Sequence, residues 1–296
     1  MAINYATKDG GQFDQAISQG LVTSVLGNKA MEFVAGGKSF TLTTISTSGF
    51  KSHSREGGFN AGKVSNDKKV YTMGQDRDIE FFVDREDIDE TNQDLAVGNI
   101  TRTFDEEHVQ PEIDAYRLST LGKLAKTQTD EALTTSNVYT RLKAALLPVR
   151  KYGVANVFGF VSTEVMDLLE RSTEFSRPIN NQNVGMTALE SRVTSLDGVQ
   201  LIEVLNPDLM KSDYDYSDGF TPKSDAKDIN FVFVAAPVVI PAIKTAAVYL
   251  FEPGQHTAGD GYLYQNRLYH DIFVMDRKKD GVSVSYKPAA SAQTGK

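Results

Sequence analysis

The segment FFVDREDIDETNQDL at 81–95 places six carboxylates and one arginine directly after an apolar, strand-like start. Such charge serves a metal site, a catalytic carboxylate pair or a surface for a basic partner. A calcium loop starting at Asp87 fails, because Asn92 and Gly98 stand where a glycine and a bidentate glutamate are required. A catalytic pair lacks an apolar pocket that would raise one pKa above the other. A partner surface and an ordinary solvated face remain, with these candidate interface residues: Asp84, Arg85, Glu86, Asp87, Asp89 and Glu90.

Two lysines have the spacing of a phosphate-binding loop. Gly57, Gly62 and Lys63 match it, but Val64 replaces the hydroxyl that holds magnesium, so a flexible hairpin tip is the better interpretation. The second match, EFVAGGKSF at 32–40, has a glutamate in place of the first glycine. No H-E-x-x-H pair or G-x-S-x-G elbow occurs. The sequence therefore predicts no enzyme, no cofactor and no metal site.

Composition narrows the class of protein. The 296 residues include 39 acidic and 31 basic side chains, and the net charge of −8 argues against general affinity for nucleic acid, although a local basic patch stays open. The absence of cysteine excludes a disulfide framework and a thiolate site, and it suggests a reducing compartment. The first residues do not resemble a secretory signal, and the longest apolar run, 231–243, is too short to span a bilayer. We expect a soluble protein.

The residue pattern in the first half of the chain predicts an arm and a hairpin that need a surface outside themselves to pack on. Apolar residues recur every fourth position within 9–36, which indicates an amphipathic helix on an arm. Strands are predicted at 39–47 and 71–84, and the polar, glycine-rich residues between them bury almost nothing. An extended hairpin of this length would reach roughly 35 to 65 Å and would be marginally stable alone. We therefore expect it to lie on a neighbouring surface.

The second half has α/β character. A long helix is predicted from 100 to 126, with Pro111 either kinking it or starting its second half. Further elements are expected in this order: a helix at 137–151, a buried strand at 157–162, a helix capped by Thr163, strands at 198–204 and 230–236, a helix starting near Pro237, and a closing hairpin of 271–276 and 282–286 with an Asp-Gly turn.

This order of parts resembles the major capsid proteins of tailed bacteriophages, whose fold encapsulin shells share. The segment VQPEIDAYRLSTLGKLA at 109–125 looks like the spine helix of that family. The acidic run at 81–95 precedes it, and YHDIFVMDRKKDGVSVSYKPA at 269–289 looks like the family's C-terminal strand pair followed by its short tail. The resemblance covers nearly the whole chain.

The resemblance implies an α+β capsid fold without an active site. Its parts would be an N-terminal arm at 1–37, an extended loop at 38–83, a peripheral domain at 84–126 and 250–288, an axial domain at 127–249 and a tail at 289–296. Such subunits self-assemble as pentamers and hexamers into an icosahedral shell. The shell encloses double-stranded DNA without reading its sequence. The protein would be made in the host bacterial cytoplasm and reside in the virion capsid.

The resemblance also implies partners and leaves alternatives. A separate scaffolding protein is expected, because no long N-terminal extension serves as a built-in scaffold, and portal and decoration proteins are possible partners. Some family members crosslink loop lysines to a neighbour's asparagine, which makes Lys63, Lys68 and Lys69 candidate interface residues without a motif that settles the chemistry. The alternatives are an encapsulin-like cargo shell, another oligomeric phage structural protein, and a hydrolase or nucleotide-binding enzyme.

Overall fold

Residues 19–27, 37–53, 57, 59–90, 97–172 and 193–288 are described by a computed structural model. Their strands are β1 (Ser39–Thr47), β2 (Val64–Thr72), β3 (Gln75–Asp84), β4 (Thr127–Asp130), β5 (Val157–Ser162), β6 (Val193–Leu196), β7 (Val199–Val204), β8 (Tyr214–Asp215), β9 (Thr221–Pro222), β10 (Ile229–Ala235), β11 (Val239–Phe251), β12 (Gly261–Val274) and β13 (Val282–Tyr286). Their α-helices are α1 (Arg85–Glu90), α2 (Val97–Phe104), α3 (Gln110–Leu124), α4 (Val138–Leu146) and α5 (Thr163–Glu170).

A six-stranded sheet of order β4-β13-β10-β5-β7-β6 carries the main core. The β5–β7 and β4–β13 pairs are parallel, whereas β10 is antiparallel to both of its neighbours. Every residue of β10 is buried, which fits a central strand covered on both faces and its nearly continuous apolar sequence. At Gly159 in β5, an added Cβ would lie 2.6 Å from the Phe233 ring, so this position has no room for a side chain.

A three-stranded sheet of order β11-β12-β3 forms the second layer, and a two-stranded ribbon of β1 and β2 projects from it. The ribbon joins the sheet through packed aromatic rings: Phe40 stacks on Tyr71, and Phe273 meets both rings edge-on. The predicted extended hairpin is thus present, but its second arm is β2 and not the predicted strand 71–84. Residues 75–84 pair instead with β12 from the far end of the chain, a partner that no local pattern reveals.

The predicted long helix is confirmed as α2, a π-helical turn at Asp105–Val109, and α3. Pro111 lies in the first turn of α3, directly after the π-helical turn. The proline therefore begins the second half of the segment. Of the face that the helical spacing predicts, Leu121 is buried in the main core, Tyr116 and Leu124 pack against that core, and Ile113 is buried.

Three other predictions about elements are wrong. No α-helix starts near Pro237: a short 3-10 turn at Ala236–Val238 leads into the strand β11. The closing hairpin does not form either, because β12 and β13 lie in different sheets and a 3-10 turn at Asp276–Gly281 joins them. The cap of α5 is Ser162, whose Oγ accepts the backbone N–H of Val165, and not Thr163.

The remaining element predictions hold where they can be compared. The strands at 157–162, 198–204 and 230–236 are present as β5, β7 and β10, and α4 lies within the helix predicted at 137–151. Most of the predicted arm helix lies outside the described residues, and the described part of the arm contains a 3-10 turn at Val22–Leu26. No helix in the described ranges is long and apolar enough to cross a membrane.

Candidate assembly surfaces

The acidic run begins where β3 ends. The Asp84 carboxylate accepts the backbone N–H of Glu86 at 2.9 Å and so starts α1. Glu86 and Asp87 are exposed in the first turn, where negative charge favours a helix. Arg85 is exposed as well, and its backbone N–H donates to the Asp260 carbonyl at 3.3 Å. The backbone of Asp89 and Glu90 belongs to α1, but their side chains lie outside the described part of the chain.

The three candidate lysines lie on the ribbon, away from the acidic run. Lys63 pairs through its backbone with Ser48 at the outer end of the ribbon, and Lys68 is exposed in β2. Lys69 forms an ion pair with Asp276 and lies 5.2 Å from the centre of the Tyr71 ring. The ten residues of β3, about 33 Å of extended chain, separate β2 from α1. The structure therefore does not bring the lysines and the carboxylates of one chain together.

The ribbon exposes large apolar side chains. Phe50 and Phe59 are fully accessible at 110% and 101%, and Ile45 and Val64 are mostly exposed. Singly exposed apolar residues are ordinary, but several on one narrow two-stranded projection mark a surface that another molecule covers. The sequence pattern indicated the length of the projection but not the exposure of these aromatic side chains, because polar residues surround them.

A second surface lies between α2 and the outer part of the three-stranded sheet. An open cleft of about 440 Å³ lies there, and the apolar side chains of Val248 and Leu250 on β11 are about half exposed beside it. Because a helix was predicted at the start of β11, the sequence pattern did not indicate this cleft. Its lining consists of Gly98, Thr101, Arg102, Asp105, Val248, Leu250, Tyr264 and Asn266.

Buried polar groups on α3 hold the N-terminal segment against the core. The Asp114 carboxylate is fully buried and accepts hydrogen bonds from the backbone N–H of Val22 at 2.8 Å, the backbone N–H of Thr23 at 2.9 Å and the Thr23 hydroxyl at 2.7 Å. The Arg117 guanidinium donates to the same hydroxyl at 3.2 Å. Burial raises the pKa of Asp114 to about 6, against the lowering effect of these donors and of Arg117. Two oppositely charged residues three positions apart, on a helix face that is otherwise apolar, were the sequence signal that could have indicated this contact.

A second contact fixes the same segment to the six-stranded sheet. The Gln19 side-chain amide donates to the carbonyl of Glu203 at 2.6 Å and accepts the backbone N–H of Leu205 at 2.9 Å. Val22 and Leu26 are buried in the main core. Residues 19–27 are therefore an integral part of the folded subunit.

The histidines do not form a shared site. His270 is buried in β12, where this strand pairs with Gln75 at the start of β3. Burial lowers its pKa to about 3, and the positive charges of Arg117 and Arg77 act in the same direction. His256 instead contacts the carbonyl of Gly261 at the other end of β12. Within the described ranges, no group of three or more acidic or histidine side chains is arranged to hold a metal ion.

Comparison with known proteins gives structural matches only. No protein-family model matches the chain. No curated protein matches its sequence. Solved structures, however, match over nearly its full length. A structure titled "Mycobacterium phage Che8" has a TM-score of 0.69 at 14% identity, covering 96% of this chain and 97% of that one.

Two further matches have titles that name the assembly. "Capsid structure of the Cyanophage P-SCSP1u" has a TM-score of 0.69 at 12% identity and covers 97% of this chain and 94% of that one. "Asymmetric unit of bacteriophage PhiM1 mature capsid" has a TM-score of 0.64 at 14% identity and covers 98% and 93%. The chain has the tailed-phage capsid fold. α3 lies in the segment for which the resemblance predicts the spine helix, and the β1–β2 ribbon lies in the segment 38–83 for which it predicts the extended loop.

Proposed function

We propose that the chain is a major capsid protein that self-assembles as pentamers and hexamers into the icosahedral shell of a tailed bacteriophage. The observation that carries this proposal is the ribbon. It projects from a subunit with the capsid fold and exposes Phe50 and Phe59 completely. A two-stranded ribbon is marginal alone in water, so a neighbouring subunit supplies the surface that stabilises it. The role is structural, and the reported matches give no reason to prefer an encapsulin-like cargo shell.

The sheets support a division of labour within the proposed shell subunit. The three-stranded sheet with α2 and α3 would be the peripheral domain, and the six-stranded sheet would be the axial domain around the symmetry axes. Because β13 pairs with β4 and β10, we place residues 282–286 with the axial domain and not with the peripheral one. The arm at 1–37 and the tail at 289–296 complete the proposed subunit.

The remaining roles rest on the proposed shell. The shell would enclose double-stranded DNA without sequence-specific contacts, with scaffolding, portal and decoration proteins as further partners. Synthesis in the host cytoplasm and residence in the virion follow from the same role. The acidic run from Asp84 to Glu90 and the ribbon lysines Lys63, Lys68 and Lys69 are proposed to lie at subunit seams, because ionic contacts across interfaces set register and partner choice.

Assembly of the purified chain tests the proposal. We expect rings or closed shells by light scattering and negative-stain electron microscopy, with the scaffolding protein added where it is available. Phe50→Ser combined with Phe59→Ser should reduce assembly strongly while thermal melting of the subunit stays unchanged, since both rings contact solvent in the isolated chain. Leu147→Ser, which also removes an exposed apolar side chain but from outside the ribbon, is the matched control. Wild-type chains that remain monomeric at high concentration with scaffold present would contradict the proposal.

A further inference from the structure

A basic surface lies where the two sheets meet. The turn between β12 and β13 carries Arg277, Lys278 and Lys279, and the backbone N–H of Lys126 donates to the Lys279 carbonyl at 3.3 Å. Lys151 forms an ion pair with Asp280, which also accepts the Tyr152 hydroxyl at 2.7 Å. We call this surface the basic junction. It combines two carboxylates, Asp276 and Asp280, with six cationic side chains: Lys69, Lys126, Lys151, Arg277, Lys278 and Lys279.

The opposite charge lies at the other end of the three-stranded sheet. Carboxylates from α1 and from the loop that precedes β12 meet there, since Asp84 pairs with Gly261 and the Arg85 N–H donates to the Asp260 carbonyl. The open cleft beside them is lined by Asp105 of the π-helical turn and by Arg102. The cleft floor includes the half-exposed Val248 and Leu250. We call this region the acidic end. Its carboxylates are Asp84, Glu86, Asp87, Asp105, Glu106, Glu252 and Asp260.

The two surfaces are at opposite ends of one strand. Asp84 pairs with Gly261, the first residue of β12, whereas Asp276 follows Val274, its last residue, by two positions. The 14 residues of β12 span about 46 Å at ~3.3 Å per residue, and about 26 Å of strand lies between Asn266 at the cleft and Val274. Attraction between the surfaces of one chain is screened at that separation, because the Debye length is about 8 Å at physiological salt. They can meet only between two copies.

We propose that the acidic end of one copy docks on the basic junction of a second copy in a head-to-tail contact. The contact rests on the proposed assembly of the chain and identifies two surfaces that form it. The aliphatic stems of Arg277 and Lys278 cover the apolar cleft floor, while their charged groups reach Asp105 and Glu106 at its rim. Because the two surfaces differ, the contact is heterologous, and repeating it generates a ring when the rotation closes.

Duplex DNA is the other anionic partner that a basic surface could meet. Two observations favour a protein partner. Asp276 and Asp280 lie among the cations and would repel phosphate groups, whereas a protein surface can place its own cations, such as Arg85 and Arg102, opposite them. The chain as a whole also carries a net charge of −8, which opposes approach to a polyanion.

Charge reversal tests the contact in the full-length chain. The junction variant reverses three cations: Lys126→Glu, Arg277→Glu and Lys278→Glu. The acidic-end variant reverses three exposed carboxylates: Glu86→Lys, Asp87→Lys and Glu106→Lys. A combined variant carries all six substitutions. The control places three lysines on an exposed surface away from both regions: Asp208→Lys, Asp218→Lys and Asp225→Lys.

Either variant alone should lower ring or shell yield at least about tenfold at 0.1 M salt, because like charges facing across an interface cost several kcal/mol. The combined variant should restore the yield, since its acidic end has become basic and its junction acidic. An equal mixture of the two single variants should restore six-membered rings by alternation, whereas five-membered rings cannot alternate. The control should assemble as wild type does. Thermal melting of each subunit separates loss of contact from loss of folding.

The outcomes separate the contact from the proposed function. Wild-type chains that form no rings overturn both. Wild-type rings together with single variants that assemble normally, or with a combined variant that is not rescued, overturn the contact alone. A junction variant that assembles normally but loses retention of duplex DNA in a gel-shift assay assigns the basic junction to DNA and overturns the contact as well.

Discussion

Asp114 gives the subunit a pH dependence whose sign and size follow from its burial. Its pKa is about 6 in the folded chain and 3.8 when unperturbed. The folded state therefore holds the proton more tightly than the unfolded state. The resulting stability is fully present below pH 3.8 and is lost as pH rises through 6. Two units at ~1.4 kcal/mol each give a loss of about 3 kcal/mol across this window.

Replacing Asp114 by asparagine removes this dependence. The amide keeps one acceptor oxygen, but its NH₂ cannot accept the donors of Val22 and Thr23 that the carboxylate satisfies. A buried donor without an acceptor costs ~1–3 kcal/mol, so the variant should be less stable than wild type near pH 4. The difference in free energy of unfolding should then shift by about 2 kcal/mol in favour of the variant between pH 4 and pH 7.

Urea unfolding of unassembled subunits at half-unit pH steps measures this shift. Asp218→Asn, in an exposed loop, controls for the loss of one surface carboxylate. Parallel pH profiles for wild type and Asp114→Asn would refute the reasoning, since they would mean that Asp114 titrates alike in the folded and unfolded chains. Protease sensitivity of residues 19–27 provides a second readout, because this segment depends on Asp114 for its contact with α3.

Two further predictions concern the ribbon and the main core. Limited proteolysis of unassembled subunits should cut first within 48–63, between the arms of the ribbon, whereas cleavage of the six-stranded sheet at an equal rate would contradict a weakly held projection. Gly159→Ala should lower the free energy of unfolding by ~1–3 kcal/mol, because the added methyl group would lie 2.6 Å from Phe233 and 2.7 Å from Leu201. Gly49→Ala, where nothing lies within 4 Å, is its matched control, and equal melting temperatures for the two variants would show that the core accepts the methyl group.

The sequence correctly predicted those elements whose own residue pattern shows that they are buried. β5, β7 and β10 are short apolar runs between turn residues, and the helix through α3 repeats buried side chains at helical spacing, so each pattern reports its own burial. The overall order of parts then sufficed for the capsid fold. Assignments failed where the residue pattern of an element does not report its burial. The second half of β11 has exposed and partly buried residues without regular alternation, and only pairing with β12 makes it a strand.

The surfaces were harder to predict than the core. The sequence indicated the acidic run, but not that about 33 Å of strand separates it from the ribbon lysines, because that distance depends on the pairing of β3 with β12. The basic junction was likewise read as a hairpin turn, since Asp280-Gly281 has the composition of one. Its cations come from four separate parts of the chain, and only the fold brings them together.

The pairing of β3 with β12 also determines when the subunit can fold during synthesis. Asp84 can pair only after Gly261 has been synthesised. β4, the first strand of the six-stranded sheet along the chain, can pair only after β13 at 282–286 has been synthesised. Contacts of such long sequence separation form slowly and only after their second partner has left the ribosome. The three-stranded sheet is complete only after β12 has been synthesised, and the six-stranded sheet only after β13 has been synthesised. Nascent chains that end before β12 therefore lack both surfaces through which finished subunits would join.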